Sequence, residues 1–448
     1  MSGVMKESGP PTATQSLCPV CLRLIPARRE REGDSIFLAK ECPEHGAYQT
    51  VVWRGEPSFE SWTRPKYPAK IDVPFTGELL GCPFDCGLCG AHRQHTCTAL
   101  LEVTSRCNLG CSFCFAGSGG RSADPSPATV RRWYQRVLDS GGPCNIQLSG
   151  GEPTLRDDLP ALVELGRTMG FSFIQLNTNG LRLAREPRFT ESLARAGLSS
   201  VFLQFDGTRV EIHRALRGGD FLAEKLAAIR LCGEMGIGVV LVPTVVPRVN
   251  DHNLGEIVDL ALELLPVVRG VHFQPVSYFG RYPAAPSDRM RVTLPEIMSG
   301  LERQSKGRIR KEHFQPPGCE NALCSFHGNF VLVPGGLTAV TRPRGGICCP
   351  EDAAAGARKA RDIVAGHWAA PAYGGPSGGD EATRSLDSFL SRVRTHRLGI
   401  SGMAFQDVWN IDLERLRDCC IHTVAPDGRL IPFCAYNLTG AAGEALYR

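Results

Sequence analysis

The sequence predicts an α/β protein: a partial parallel barrel of six βα units, with a metal knuckle before it and a further cysteine-rich region after it. Three observations carry this reading. From Ala99 onward, short apolar runs alternate with segments of helical periodicity. Successive runs start roughly 27–38 residues apart, the repeat of strand–helix units, and only the first step is stretched, to about 46, by a cysteine loop. The 19 cysteines fall into tight groups, mostly outside that repeat.

The strands are expected at Ala99–Val103, Asn145–Leu148, Phe173–Leu176, Ser200–Phe205, Gly238–Val245 and Gly270–Gln274. Helices are expected between them at Ala128–Asp139, with Pro127 in its first turn, then Leu159–Met169, Phe189–Ala196, Phe221–Met235 and Leu254–Leu264. In parallel barrels the functional site gathers at the carboxyl ends of the strands.

Composition narrows the function classes. A net charge of +4 over 448 residues leaves no clustered basic footprint for nucleic acid. Met1–Leu17 is polar and Pro-rich, unlike a signal peptide, and no apolar run reaches the 18 or more residues of a membrane span. A cytoplasmic protein is expected, in which closely spaced cysteines bind metal instead of pairing as disulfides.

The first group is Cys18-Pro-Val-Cys21, followed across a short hairpin by Cys42-Pro-Glu-His45. Cys18, Cys21, Cys42 and His45 are the candidate ligands of one zinc or iron ion, with the fourth ligand left open to a later cysteine. The second group, Cys82, Cys86, Cys89 and Cys97, offers four thiolates within a short span, enough for a fully ligated [4Fe–4S] cluster; zinc is the alternative. His92 and His95, in the same loop, are expected to face solvent.

The third group follows the first strand directly. Leu101–Gly117 places Cys107, Cys111 and Cys114 in a C-x3-C-x2-C array, with Phe113 before the last thiol. Three thiolates hold three irons of a [4Fe–4S] cluster and leave the fourth iron open to a small molecule. The spacing and the aromatic resemble the cluster loop of the radical S-adenosylmethionine (radical SAM) enzymes. The resemblance implies a partial barrel of that type and reductive cleavage of SAM to a 5'-deoxyadenosyl radical. Gly150, Gly151, Glu152 and Pro153, one unit later, match the motif that receives the SAM amino group. Asn177 and Asn179, Gln204 and Asp206, Thr244, and Gln274, at later strand ends, resemble ribose and carboxylate contacts. Cys144 and Cys232 read as core residues.

After Ser277 the repeat stops. Cys319 and Cys324 open a C-terminal group, and Asp427-Gly428 marks a hairpin that brings Cys419 or Cys420 beside Cys434. Cys319, Cys324, Cys420 and Cys434 are the preferred ligands of another auxiliary cluster, a zinc ribbon is the alternative, and Cys348, Cys349 and Cys419 are held as substitutes. Ala353–Gly379, rich in Ala, Gly and Pro, is expected to be a flexible insertion. The regions then read as 1–70 knuckle, 71–98 auxiliary segment, 99–280 barrel and 281–448 C-terminal cluster region.

The order of these groups, with Cys-Pro-Phe-Asp-Cys-Gly-Leu-Cys and the late Ile431-Pro-Phe-Cys434-Ala-Tyr-Asn, resembles the tetraether lipid synthase and pterin dimethyltransferase-like branch of the superfamily. That resemblance implies three [4Fe–4S] clusters, one mononuclear metal, SAM, and a low-potential donor such as ferredoxin or flavodoxin. Its leading implication is carbon–carbon bond formation on a lipid-like chain, with peripheral membrane contact. The alternatives are a methyltransferase acting on a pterin and a peptide-modifying enzyme. An elongated apolar tunnel would mark the lipid reading, and a compact, polar, aromatic-lined pocket the pterin reading. An iron–sulfur electron carrier would need no SAM motif, so Gly150–Pro153 argues against it.

Overall fold

The structure is a computed structural model and describes residues 13–71, 74–119, 123–341, 350–371 and 392–448. Cys348, Cys349 and residues 372–379 of the expected insertion lie outside the described residues.

The expected strands form at Thr98–Thr104, Asn145–Gly150, Ile174–Thr178, Ser200–Gln204, Gly238–Val242 and Val268–Pro275, each parallel to the next. Gly238–Val245 breaks after Val242 because Pro243 has no amide hydrogen for the ladder; Thr244–Val245 resumes pairing with Val268–Pro275 alone. Helices Pro127–Asp139, Leu159–Thr168, Pro187–Arg195, Leu222–Glu234 and Leu254–Glu263 fill the crossovers. The first begins where the Ser126 hydroxyl accepts from Thr129 N, 3.2 Å, with Pro127 preset for the first turn. It buries Val130, Trp133, Tyr134 and Val137, one face of a helix at three- and four-residue spacing.

The alternation along each strand decides where the core lies. Ile146, Leu148, Ile174, Leu176, Val201, Leu203, Val239 and Leu241 point outward into one buried apolar cluster beneath the helices. Burying each such side chain stabilises by about 1.5–3 kcal/mol. The intervening positions Gln147, Ser149, Gln175, Asn177 and Gln204 face a central cavity. The barrel is therefore hydrophobic outside its wall, while its interior mixes these polar groups with the apolar side chains of Phe202 and Val242.

The region after Ser277 extends this sheet. Arg397–Met403 adds parallel to Val268–Pro275, and Ser325–Val333 adds antiparallel beyond it. At the other edge Ile421–Val424 pairs parallel with Thr98–Thr104 and turns through Asp427-Gly428 into Leu430–Pro432, the expected hairpin. Pairing follows an open path, not a closed ring.

One expectation about the elements is overturned. Ala353–Trp368, read as flexible, is a helix across the amino ends of the strands. Its Arg361 carbonyl accepts from Asn145 Nδ2 at 3.3 Å, and its His367 carbonyl accepts from Arg269 Nε at 3.1 Å. Gly238 permits the approach, since a Cβ there would overlap the Trp368 carbonyl. Six of its first eight residues are Ala or Gly, small enough for close packing, and Ala353 and Ala357 are buried.

Candidate active site

The Cys107–Cys114 loop is anchored from three sides. Cys114 exchanges two backbone hydrogen bonds with Arg281, at 2.9 and 3.0 Å, while Arg281 Nε donates to the Cys111 carbonyl at 3.0 Å. Phe113 packs edge-on against Tyr278, ring centroids 6.0 Å apart. Beneath the loop, Gly151 N donates to the Thr104 carbonyl and Glu152 N to that of Arg106, both at 2.8 Å. A Cβ at Gly150 or Gly151 would overlap those same carbonyls, so the paired glycines let the cysteine loop rest directly on the second strand.

Glu152 is 2 % exposed and on the cavity wall. Its Oε1 accepts from Thr154 Oγ1 and Thr178 Oγ1, both 2.6 Å, and its Oε2 from Asn179 N at 2.7 Å. Asn179 Nδ2 donates to Asn108 Oδ1 at 2.8 Å, tying the third strand end to the cysteine loop. Gln204, Thr244 and Gln274 line the cavity as expected; Asp206 does not. Asp206 is fully buried and grips Arg217 through bonds of 2.6 and 2.7 Å. Burial alone would raise its pKa, but the Arg217 charge outweighs it and holds the carboxyl below its ordinary value.

Arg217 is a residue the sequence did not single out. It lines the cavity, donates to Thr244 Oγ1 at 3.1 Å and to the Phe113 carbonyl at 3.3 Å, and lies against the Cys111 thiol. Lys225, also unforeseen, is fully buried and donates to the carbonyls of Asn179 at 3.0 Å and Gln204 at 2.6 Å. Burial lowers its pKa to about 8. The only sequence signal for Arg217 was Asp206 itself, since a carboxylate at a buried strand end needs a cation.

The cavity, about 1750 Å³, runs from Cys107, Cys111 and Cys114 at the strand tops to the Ala353–Trp368 helix at their base. Three thiols at one rim, the Glu152 carboxylate beside them and a buried Asn177 Oδ1 with no partner form a donor set that fits an open cluster and a polar ligand.

The remaining thiols regroup. Cys18, Cys21, Cys42 and His45 converge as expected: His45 Nδ1 lies 3.6 Å from Cys18 Sγ and 3.5 Å from Cys42 Sγ. Cys97, however, joins Cys319 and Cys420, not Cys82, Cys86 and Cys89. Cys97 and Cys319 are joined as a disulfide across 7.6 Å between Cα atoms, outside the roughly 4.4–6.8 Å such bonds span, and all three sulfurs lie within 4.8 Å, which suits a metal better. Cys82, Cys86 and Cys89 line a small cavity of their own. Cys419 and Cys434 are raised in pKa by burial and then by neighbouring thiols, Cys434 and Cys324 for the first and Cys324 for the second. So both Cys419 and Cys420 have thiol partners, in different groups. His92 is buried, not solvent-facing, with Nε2 2.7 Å from the Cys419 carbonyl. Cys144 and Cys232 are buried core thiols, each pushed up to about 12 by burial.

Residues 101–261 match the family model of the Radical SAM superfamily, and residues 10–54 that of the HMPTM N-terminal zinc ribbon domain. A 7,8-dihydro-6-hydroxymethylpterin dimethyltransferase of Methanocaldococcus jannaschii is 36% identical, across 95% of this chain and 93% of its own length. This chain belongs to the radical SAM superfamily, in the branch of that dimethyltransferase. A probable GTP 3',8-cyclase of Methanothermobacter thermautotrophicus is 30% identical over 38% of this radical SAM enzyme and 56% of its own length. The Streptococcus suis SuiB structure with bound S-adenosylmethionine overlaps 43% of this chain and 42% of its own at 17% identity, TM-score 0.36. The expected coupling of lipid chains finds no support here, since the relative spanning nearly the whole chain is named for a pterin. No helix among the described residues is long and apolar enough to cross a membrane.

Proposed function

We propose that this radical SAM enzyme transfers methyl groups to a pterin of the 6-hydroxymethyl type. The observation that carries the reading is the set of polar groups beneath the cysteine loop, where Gln147, Ser149, Gln175, His272 and Ser401 stand beside the Phe202 and Trp368 rings on the cavity wall. The full-length likeness to a pterin dimethyltransferase supports it.

Cys107, Cys111 and Cys114 hold the cluster that, with SAM bound, supplies one-electron cleavage chemistry. Glu152, fixed by its four donors, presents a carboxylate to the amino group of SAM. Arg217, locked by Asp206, places a permanent positive charge beside Cys111 and the cavity. The narrow fit of Gly150 and Gly151 under the loop keeps these parts in register. Electrons come from a low-potential donor such as ferredoxin or flavodoxin, and the other cysteine groups hold auxiliary metal centres.

Anaerobically reconstituted protein given reductant, SAM and 6-hydroxymethyl-7,8-dihydropterin is expected to yield 5'-deoxyadenosine and a methylated pterin, with neither from Cys111→Ala. The methyl group must come from a separate one-carbon donor, since the SAM cleaved to deoxyadenosine leaves as methionine. Deoxyadenosine formed while the pterin stays unmodified, with either excess SAM or a reduced one-carbon carrier supplied as that donor, would sink the reading.

A further inference from the structure

Parallel barrels are ordinarily filled by branched aliphatic side chains. Here the middle layer carries amides. Gln147, Gln175 and Ser200 sit side by side on three adjacent strands, in register. Gln147 Nε2 donates to Gln175 Oε1 at 2.8 Å, and Gln175 Nε2 donates to Ser200 Oγ at 3.2 Å. Asn177 Nδ2 reaches Gln147 Oε1 only at 3.3 Å. Each glutamine amide has two N–H groups and two acceptor lone pairs, so this chain uses part of its capacity and leaves donors and acceptors for a ligand. Asn177 Oδ1, one layer higher, is buried with no partner at all.

The wall beside these amides is flat and aromatic. Phe202 lies 5.4 Å from His272 and 5.5 Å from Trp368, centroid to centroid, and His272 lies 6.1 Å from Trp368. His272 shares a 2.8 Å hydrogen bond with Ser401 Oγ, and burial depresses its pKa to about 4, so the imidazole is neutral at physiological pH. Trp368 comes from the base helix and closes the floor under these rings.

We propose that the Gln147–Gln175 amides and the Phe202–His272–Trp368 wall form the recognition site for a flat heteroaromatic ring, reading the donors and acceptors along its edge. The site lies below the strand tops, so a ring seated there presents its upper edge toward the cysteine loop. A purely apolar substrate would leave the spare donors and acceptors of these amides unpaired, which costs about 1–3 kcal/mol per buried group and selects against it. Taking the ring to be a pterin rests on the function proposed above.

The test uses reconstituted full-length protein and equilibrium binding of 6-hydroxymethylpterin and of 6-hydroxymethyllumazine, which carries an oxo group in place of the 2-amino group. Wild-type protein is expected to prefer the pterin by about tenfold or more. Gln147→Met, at the half-buried end of the amide chain, is expected to weaken pterin binding by about tenfold and erase that preference. Iron content and SAM affinity should stay unchanged. Phe202→Leu, at a second part of the site, should weaken both ligands equally. Unchanged pterin binding in both variants overturns the site while leaving pterin methylation standing. A loss of SAM affinity without loss of pterin affinity likewise overturns it, reassigning the amides to the cosubstrate. Wild-type protein that ignores pterins but binds guanosine, with the same losses in the variants, overturns the pterin reading and supports the site.

Discussion

Asp206 and Arg217 form a bidentate ion pair closed to water at the carboxylate end and open to the cavity at the guanidinium end. The side chains are 0 % and 4 % exposed. The carboxylate touches no ligand space; it fixes a cation that does. Removing one partner of such a pair leaves a buried charge uncompensated. Asp206→Asn should lower unfolding free energy by about 3–5 kcal/mol in denaturant titrations and cut deoxyadenosine yield. The double change Asp206→Leu with Arg217→Met should recover much of the stability without recovering the yield. Recovery of both would show that the pair serves folding only.

Gly151 sits where any side chain meets the Arg106 carbonyl. Gly151→Ala must therefore push the cysteine loop away from the second strand. A displacement approaching 1 Å costs about a hundredfold in positioned chemistry. SAM cleavage should fall by that order while the protein keeps its helix content by circular dichroism. A fall below threefold would mean the loop adapts freely.

His272 gives a pH dependence whose sign can be worked out. Its folded-state pKa, about 4, lies below the ordinary value of 6.5, because burial disfavours the cation. The unfolded chain therefore takes up a proton that the folded chain refuses. The associated stability is complete above pH 6.5 and is lost as pH falls toward 4, at about 1.4 kcal/mol per pH unit for one proton. His272→Gln should flatten the decline in unfolding midpoint over that interval. An unchanged slope would place the titration in other groups.

Cys18, Cys21, Cys42 and His45 converge away from the cavity wall, the number and kind of donors that a four-coordinate metal takes. His45→Ala should remove one zinc or iron per chain and lower the melting temperature, since the site's binding energy is folding energy. Deoxyadenosine formation at low temperature should persist. Its abolition, with the SAM cluster intact by electron paramagnetic resonance, would tie the knuckle to the chemistry.

Much of this molecule can be read along the chain because its signals are local. The spacing of Cys107, Cys111 and Cys114, the Gly150–Pro153 turn and the strand repeat each lie within a short window. Arg217 and Lys225 escaped because their roles depend on where Asp206, Asn179 and Gln204 meet in space. Sorting thiols by proximity in sequence failed for Cys97, whose partners Cys319 and Cys420 arrive from far along the chain. The Ala353–Trp368 helix was misread because its Ala-rich stretch, a strong helix former, runs straight into a Gly- and Pro-rich one. Averaging over both hid the boundary.

That helix separates two properties of the enzyme, the reactive end and the depth of the chamber. The residues around the cysteine loop belong to the strand tops, whereas the depth of the chamber is set by a segment inserted far downstream. Shortening its side chains at Ile363, Val364 or Trp368 would deepen the chamber without touching any group beside the cysteine loop. Substrate length is thus an adjustable feature of this architecture, tunable from below while the reactive end stays constant.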